Sequence, residues 1–554
     1  MLFPSIAISA YAFSNPNIKT SSPISYTAPI GTQGNPYLID SIASYNSLIE
    51  TYKSNSDVFL KLNCDLTETQ SEPLNRFAFS GNLDGNNKTI AYLSTPLFSE
   101  ISGKVSNLSF SLISPSCTTN AYGMLCNELN GTLINCHNNS PSTNLTITSQ
   151  TTCVGGFAGR NSSSSQIINC TNNCNLTIAT NSAIRTGGFL GEANNVLNIL
   201  NSTNNGNINI NLTPTSTSTS TSISLYAGGF VGYGSYKSPL NSTTTYNFEK
   251  LISCGEITIK SSATSSTYCR IGGILGGATN NTITNFNQST SSAKLSATNA
   301  TTNSNYGNHI GGLIGYIHGA ENNFANINIE NCFTSDSIIS TNSSNGQSIV
   351  GGLIGFAYTN KDETTNPEVS VKISNSYSTT NISTSEGKTT ATTKIGGLVG
   401  QSAKTTILNS FTEQNITSQI QSSKFMGGLI GYYYNNTTLP SNPTIINSIS
   451  NSSFSYKSSS TTYCGGLIGY LNGSSTNLDS TISNCTFKSS ATSTTILSTV
   501  CKNAIGNLSS LIPNISSDTS NTSINNQNSS FYANWDLDNV WIFVNSLPVL
   551  KFTI

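Results

Sequence analysis

A short apolar run broken by three glycines, G-G-x-x-G, returns nine times in this chain of 554 residues. The copies are CVGGFAG from Cys153, TGGFLG from Thr186, AGGFVG from Ala227, IGGILG from Ile271 and IGGLIG from Ile310. VGGLIG from Val350, IGGLVG from Ile395, MGGLIG from Met426 and CGGLIG from Cys464 complete the set. Their paired glycines are Gly155 and Gly156, Gly187 and Gly188, Gly228 and Gly229, Gly272 and Gly273, and Gly311 and Gly312. Gly351 and Gly352, Gly396 and Gly397, Gly427 and Gly428, and Gly465 and Gly466 follow. Successive first glycines lie 31 to 45 residues apart. Self-similarity on that scale reads as a solenoid, propeller or array.

A second block trails the first. It reads IINC at Ile167, ILNS at Ile199, IENC at Ile329, ISNS at Ile373, ILNS at Ile407, IINS at Ile445 and ISNC at Ile482. An aromatic often comes next, as in CFT from Cys332, SYS from Ser376 and SFT from Ser410. Glycine and β-branched residues disfavour helix and suit strands and turns. A propeller needs blades of fairly fixed length, whereas variable spacing suits a coil whose turns bulge into loops. The fold class is therefore all-β, a parallel β-helix, with about two coils expected per repeat.

That architecture explains the composition. Only 8% of residues are charged, against about 25% in an ordinary soluble domain. Stacked coils place equivalent residues ~4.8 Å apart, where like charges repel and asparagines form ladders. None of the nine glycine blocks contains a charge. The paired glycines mark either a corner or a close approach to the neighbouring coil, with positive φ also open to them. Both residues between Gly352 and Gly355 are apolar, so either a bend or a covered outer face lies there.

Net charge is -1, which leaves no basic footprint for nucleic acid. No stretch approaches the roughly 18 apolar residues of a membrane helix. Residues 1–12 include Ala10-Tyr11-Ala12 and read either as a truncated secretion signal or as an apolar first strand. Residues 13–100 form an N-terminal α/β cap. Within it DSIASYNSLIETYKS, from Asp40, predicts a helix, and FSGNLDGNNKTI carries an Asp-Gly turn. Residues 101–500 hold the repeats, and 501–554, with both tryptophans, the closing segment. Thirteen cysteines lack zinc-site spacing, and Cys136, Cys170, Cys332 and Cys485 follow an Asn where other copies have Ser. They read as small buried thiols.

The nine glycine runs, each trailed by I-x-N-[CS], resemble the GLUG-motif repeat proteins. NPYLIDSIASYNSLI, LNCDLT, FSGNLDGNNKTI and WDLDNVWIFVNSLPVLK extend the likeness from about Asn35 to Lys551. The resemblance implies a right-handed β-helix, secreted or surface-exposed and adhesin-like, with no shared catalytic residues. The chain departs from the family in its Asn/Ser/Thr enrichment and in showing no obvious wall anchor.

Candidate chemistry is sparse. Sequons occur at Asn87, Asn107, Asn144, Asn201, Asn241, Asn381, Asn415 and Asn521, as chance also predicts for so much Asn, Ser and Thr. A glycan fits poorly at Asn107, inside the strand-like VSNLSF. His137, His309 and His318 are scattered and read as surface or turn residues. Asp536/Asp538 and Asp362/Glu363 are the paired carboxylates open to glycoside chemistry or, for the first pair, calcium. A charged turn and a polar loop are their plainer readings. The glycine runs lack the Lys-Ser/Thr of a phosphate loop. The low-complexity stretch around 215–221 reads as a flexible or O-glycosylated loop. Tyr316, Tyr432, Tyr433 and Tyr434 are the candidate binding aromatics, with packing inside a turn as the alternative. No cofactor is implied. The expectation is an extracellular or cell-surface rod that binds a protein or glycan without catalysis. A carbohydrate-active enzyme and an ice-binding surface are the alternatives.

Overall fold

A computed structural model describes residues 29–551 apart from 114–116, 118, 148–150, 215–221, 236–242, 320–323, 343–344, 360–367, 386–390, 421, 435–441, 458–461, 473–477, 489–502, 509–514, 519–531, 534 and 545–546. Residues 1–12, the stretch 215–221, Asn241, Asn521 and the Asp362/Glu363 pair thus lie outside the described residues.

The chain winds into a right-handed parallel β-helix. One coil shows the plan. Ser165–Ile168 and Thr171–Asn172 form the first face, Leu176–Thr180 the second, Ile184–Gly187 the third and Leu190–Ala193 the fourth. The next coil begins at Leu197, directly over Ser165. Each repeat is therefore one coil, not two: five short strands, each parallel to its counterpart in the next repeat. The two-coil expectation failed because the glycine and asparagine blocks bend the chain within a single circuit.

Inward columns build the core. Leu133, Ile167, Ile199, Phe248, Phe286, Ile329, Ile373 and Ile407 lie in register and are buried. The residue after each glycine pair stacks likewise, with Phe157, Phe189 and Phe230 at ring separations of 4.8 and 4.6 Å. Residues equivalent in the repeat meet like with like, which is why duplication of an apolar motif extends this core.

The asparagine of I-x-N-[CS] takes the left-handed turn. Asn169, Asn201, Asn331, Asn375, Asn409, Asn447 and Asn484 have φ between 47° and 55°, a conformation asparagine tolerates better than most residues. Their amides link coils, Asn484 to Asn447 at 2.7 Å and Asn447 to Asn409 at 3.1 Å. The following Cys or Ser is buried, as expected, and has a second task. Ser202 Oγ accepts from the Cys170 amide at 3.1 Å, and Ser376 Oγ from the Cys332 amide at 3.1 Å. Burial pushes the Cys332 and Cys485 thiols up to about 12.

At the N-terminus Ser41 caps a helix over Ile42–Tyr52, whose Tyr45 and Ile49 are buried. Parallel pairing starts as early as Tyr37–Ile39. Asp84 and Gly85 lie inside the strand Asn82–Leu93 rather than in a turn. At the C-terminus Trp541–Val544 and Leu547–Leu550 form an antiparallel hairpin. Tyr532, Trp535, Trp541 and Leu550 pack on Tyr377, Phe411 and Ile449, in a cluster separate from the main core. These last three are the residues that follow the Asn-Ser turns, stacked in register on the outside. The tail therefore lies along the flank of three coils, and the aromatic after I-x-N-[CS] is its seat.

Candidate binding groove at the glycine corner

The glycine pair sits where the third face turns into the fourth. Val350 and Gly351 end one strand, Ile354 begins the next, and Leu353 and Ile354 are both fully buried. The apolar pair thus reflects a bend, and corner and close approach are both present. A Cβ on Gly351 would strike the Ile354 carbonyl oxygen, and one on Gly352 the carbonyl of Gly397 in the next coil. None of the motif glycines has positive φ. Tight packing, not left-handed backbone, selects glycine here.

This bend turns the outward side chains of the two strands toward each other. The residue two before the first glycine faces the residue just after the last, seven positions on. The pairs in successive coils are Cys153/Arg160, Arg185/Glu192, Tyr226/Tyr233, Arg270/Gly277, His309/Tyr316, Ile349/Phe356, Lys394/Gln401, Phe425/Tyr432 and Tyr463/Tyr470. Parallel register strings each half into a continuous column.

Across the groove, Arg185 Nη1 meets Glu192 Oε1 at 3.0 Å, and the Tyr226 and Tyr233 rings lie 4.4 Å apart. The Arg270 guanidinium lies 3.7 Å from the Tyr316 ring centre, 4.2 Å from Tyr268 and 4.9 Å from Tyr226. His309 stacks between Tyr316 at 5.3 Å and Phe356 at 4.9 Å. Further along, Lys394 Nζ donates to Gln401 Oε1 at 2.7 Å and lies 4.6 Å over the Tyr432 ring. Phe425, Tyr432, Tyr463 and Tyr470 close the row at 4.9–5.8 Å. Such cation and aromatic contacts each contribute about 0.5–2 kcal/mol.

Burial governs the titrations. His309, only 2% exposed, is held well below the usual histidine range by burial, with the Arg270, Lys394 and His318 charges acting the same way. His318 is brought down to about 4, by burial first and Arg270 second. Lys394 is lowered to about 8 by burial. Tyr233 and Tyr432 are raised to about 12, again mainly by burial. At neutral pH the row therefore holds neutral imidazoles and phenols beside charged arginines and Lys394.

The binding aromatics named from sequence separate here. Tyr432 lies in the groove, and Tyr316 does too but is only 8% exposed, so it is a packed element of the lattice rather than a free surface ring. Tyr433 points the other way, into the core, and is fully buried. Tyr434 is half-buried and meets Tyr358 edge-on at 4.9 Å. His309 and His318 are not turn residues: both lie on the strands flanking the corner. Sequence reasoning missed Arg270, Lys394, Tyr226, Tyr233, Phe425, Tyr463 and Tyr470. The seven-residue spacing around each glycine block would have found them.

Other sequence candidates sit apart. Asn87, Asn144, Asn201, Asn381 and Asn415 are exposed, Asn201 at a left-handed turn. Asn107 lies in the strand Lys104–Leu112, and its amide donates to Asp84 at 2.9 Å. Asp536 accepts from the Asn539 and Asp538 backbone amides at 2.8 and 3.2 Å, the charged-turn reading. His137 lies on the outer flank, in register with Ser109 and Thr171. Among the described residues no group of three His, Cys, Asp or Glu is placed to hold a metal ion. No described helix is long and apolar enough to cross a membrane.

Fold and groove together define a parallel β-helical repeat protein with an aromatic and cationic row along one corner. No protein-family model matches the sequence, and no curated protein does. Among solved structures, a Bacteroides ovatus protein described as a candidate immunoglobulin A1 protease is 18% identical. The match covers 54% of this chain and 79% of that one, at a TM-score of 0.31.

Proposed function

We propose that this protein is a non-enzymatic, secreted or cell-surface binding rod of the GLUG-motif repeat type, and that its corner groove takes an extended glycan along the helix axis. The single observation that carries this reading is the continuous double row of side chains facing across the glycine corner. The half-buried rings of Tyr432, Tyr463 and Tyr470 present apolar area with polar tips, which suits sugar rings. The row advances by one coil, ~4.8 Å, at a time, so a linear polymer can lie along it parallel to the helix axis. The disulfide-bonded state of Cys464 supports an oxidising, extracellular setting.

Titration calorimetry of the full chain against a panel of linear oligosaccharides tests the reading. Saturable binding is expected, weakened by about 1–2 kcal/mol in each of Tyr432→Ala and Tyr470→Ala. Binding that survives both substitutions unchanged would remove the groove from the proposal.

A further inference from the structure

We infer that the glycan held in this groove is anionic, and that Arg270 and Lys394 are its charge contacts; the inference rests on the groove reading above and names its ligand class. The groove treats its cations in two ways. Toward the N-terminal end each arginine has an acid: Arg160 meets Glu128 of the preceding coil at 3.0 Å, and Arg185 meets Glu192 at 3.0 Å. Arg270 and Lys394 occupy the same column as Arg185. Opposite them stand Gly277 and Gln401, and no described carboxylate pairs with either.

Arg270 is 6% exposed. A buried charge needs both compensation and hydrogen-bond acceptors. Three rings supply the first but accept little. Nη1 donates to the Tyr226 hydroxyl and, at 3.4 Å, to Ser224 Oγ, and Nε has no partner. A guanidinium has five donors arranged to grip an oxyanion, so most of this one's capacity is unspent. Beside it both ring nitrogens of His309 are also unpartnered. Lys394 follows three coils on, through His309 and Ile349. At ~4.8 Å per coil the two charges are ~14 Å apart along the axis, a span for a polymer bearing repeated anionic groups. Carboxylates of uronates and sulfate esters share the required chemistry.

The test is calorimetry of the full chain with three probes: an oligogalacturonate hexamer, a sulfated galactan hexamer free of uronates and a neutral galactan hexamer. At least one acidic probe is expected to bind at least about tenfold tighter than the neutral one, with affinity falling as salt rises. Which acidic probe binds distinguishes carboxylate from sulfate. R270Q and K394Q are each expected to weaken acidic binding about tenfold, and to weaken it by more than they weaken binding of the neutral probe. Should R270Q fail to fold, K394Q at its half-buried site and the salt dependence of the unaltered chain still decide. Equal affinity for neutral and acidic probes, or acidic binding indifferent to K394Q and to salt, overturns the inference alone. Absence of binding to all three removes the groove reading with it.

Discussion

Each coil bends at two recurrent motifs, and the two bends use opposite chemistry. At I-x-N-[CS] an asparagine adopts a left-handed backbone and its amide joins a ladder between coils. At G-G-x-x-G the backbone stays in ordinary φ, and side chains are removed so that carbonyls of adjacent coils can approach. The first bend is local, since one residue's conformation sets it. The second is in part a contact between coils: the first glycine avoids a carbonyl of its own corner, the second a carbonyl of the next repeat. Their outer surfaces differ accordingly. The asparagine side carries a row, Tyr377, Phe411 and Ile449, covered by the chain's own tail. The glycine side gathers charged and aromatic residues that vary from coil to coil.

Substitutions at the two bends separate these accounts. Gly352→Ala drives a methyl into the Gly397 carbonyl of a neighbouring coil, and both strands are pinned by further pairing. A loss above about 4 kcal/mol is expected, read by denaturant unfolding. A loss below 1 kcal/mol would mean that the corner relaxes and the close-approach account is wrong. On the covered flank, Trp541→Ala empties a fully buried site, at a cost of about 3–5 kcal/mol confined to the tail. Limited proteolysis should then release the C-terminal hairpin while the coils resist. Loss of the whole fold would instead make the tail essential to the coils.

Asn375→Ala keeps its left-handed φ of 48° without the amide that accepts from Asn409 at 3.2 Å. The expected cost is about 1–2 kcal/mol, and Asn375→Gly should recover most of it. An alanine here as costly as one at Gly352 would erase the distinction between the bends. The smallest effect is that of pH. His309 and His318 have folded-state affinities for protons below the unfolded value, so the unfolded chain binds more protons on acidification. Their stabilising contribution is complete above about pH 6.5 and declines as pH falls toward about 4. Unfolding midpoints should drop across that window, and less so in His309→Phe. The asparagine ladder has no titrating group, so an identical drop in that variant would place the sensitivity elsewhere.

Much of this was legible from residues alone. The repeat spacing announced stacked coils, and the near absence of charge in the glycine blocks matched a ladder of equivalent positions. The burial of Cys136, Cys170, Cys332 and Cys485 followed from their exchange with Ser. The number of coils per repeat was misjudged because a short apolar pair between glycines looks like a strand of its own, whereas it is a corner. Tyr433 was misplaced beside Tyr432 and Tyr434 because consecutive strand residues point to opposite faces, and the phase is set by the glycine before them. The aromatic after I-x-N-[CS] was visible, but its purpose was not, since its partner Trp541 lies more than a hundred residues further on.

The order of residues by itself determined the repeat: its period, its glycine and asparagine motifs and its apolar positions. Each depends on backbone preference and apolar pattern within one repeat. Only the tertiary structure decided that Arg270 lies under Tyr226, Tyr268 and Tyr316, and that the tail rides on Tyr377 and Phe411. Those neighbours belong to different coils, and nothing short of stacking one coil on the next brings them together.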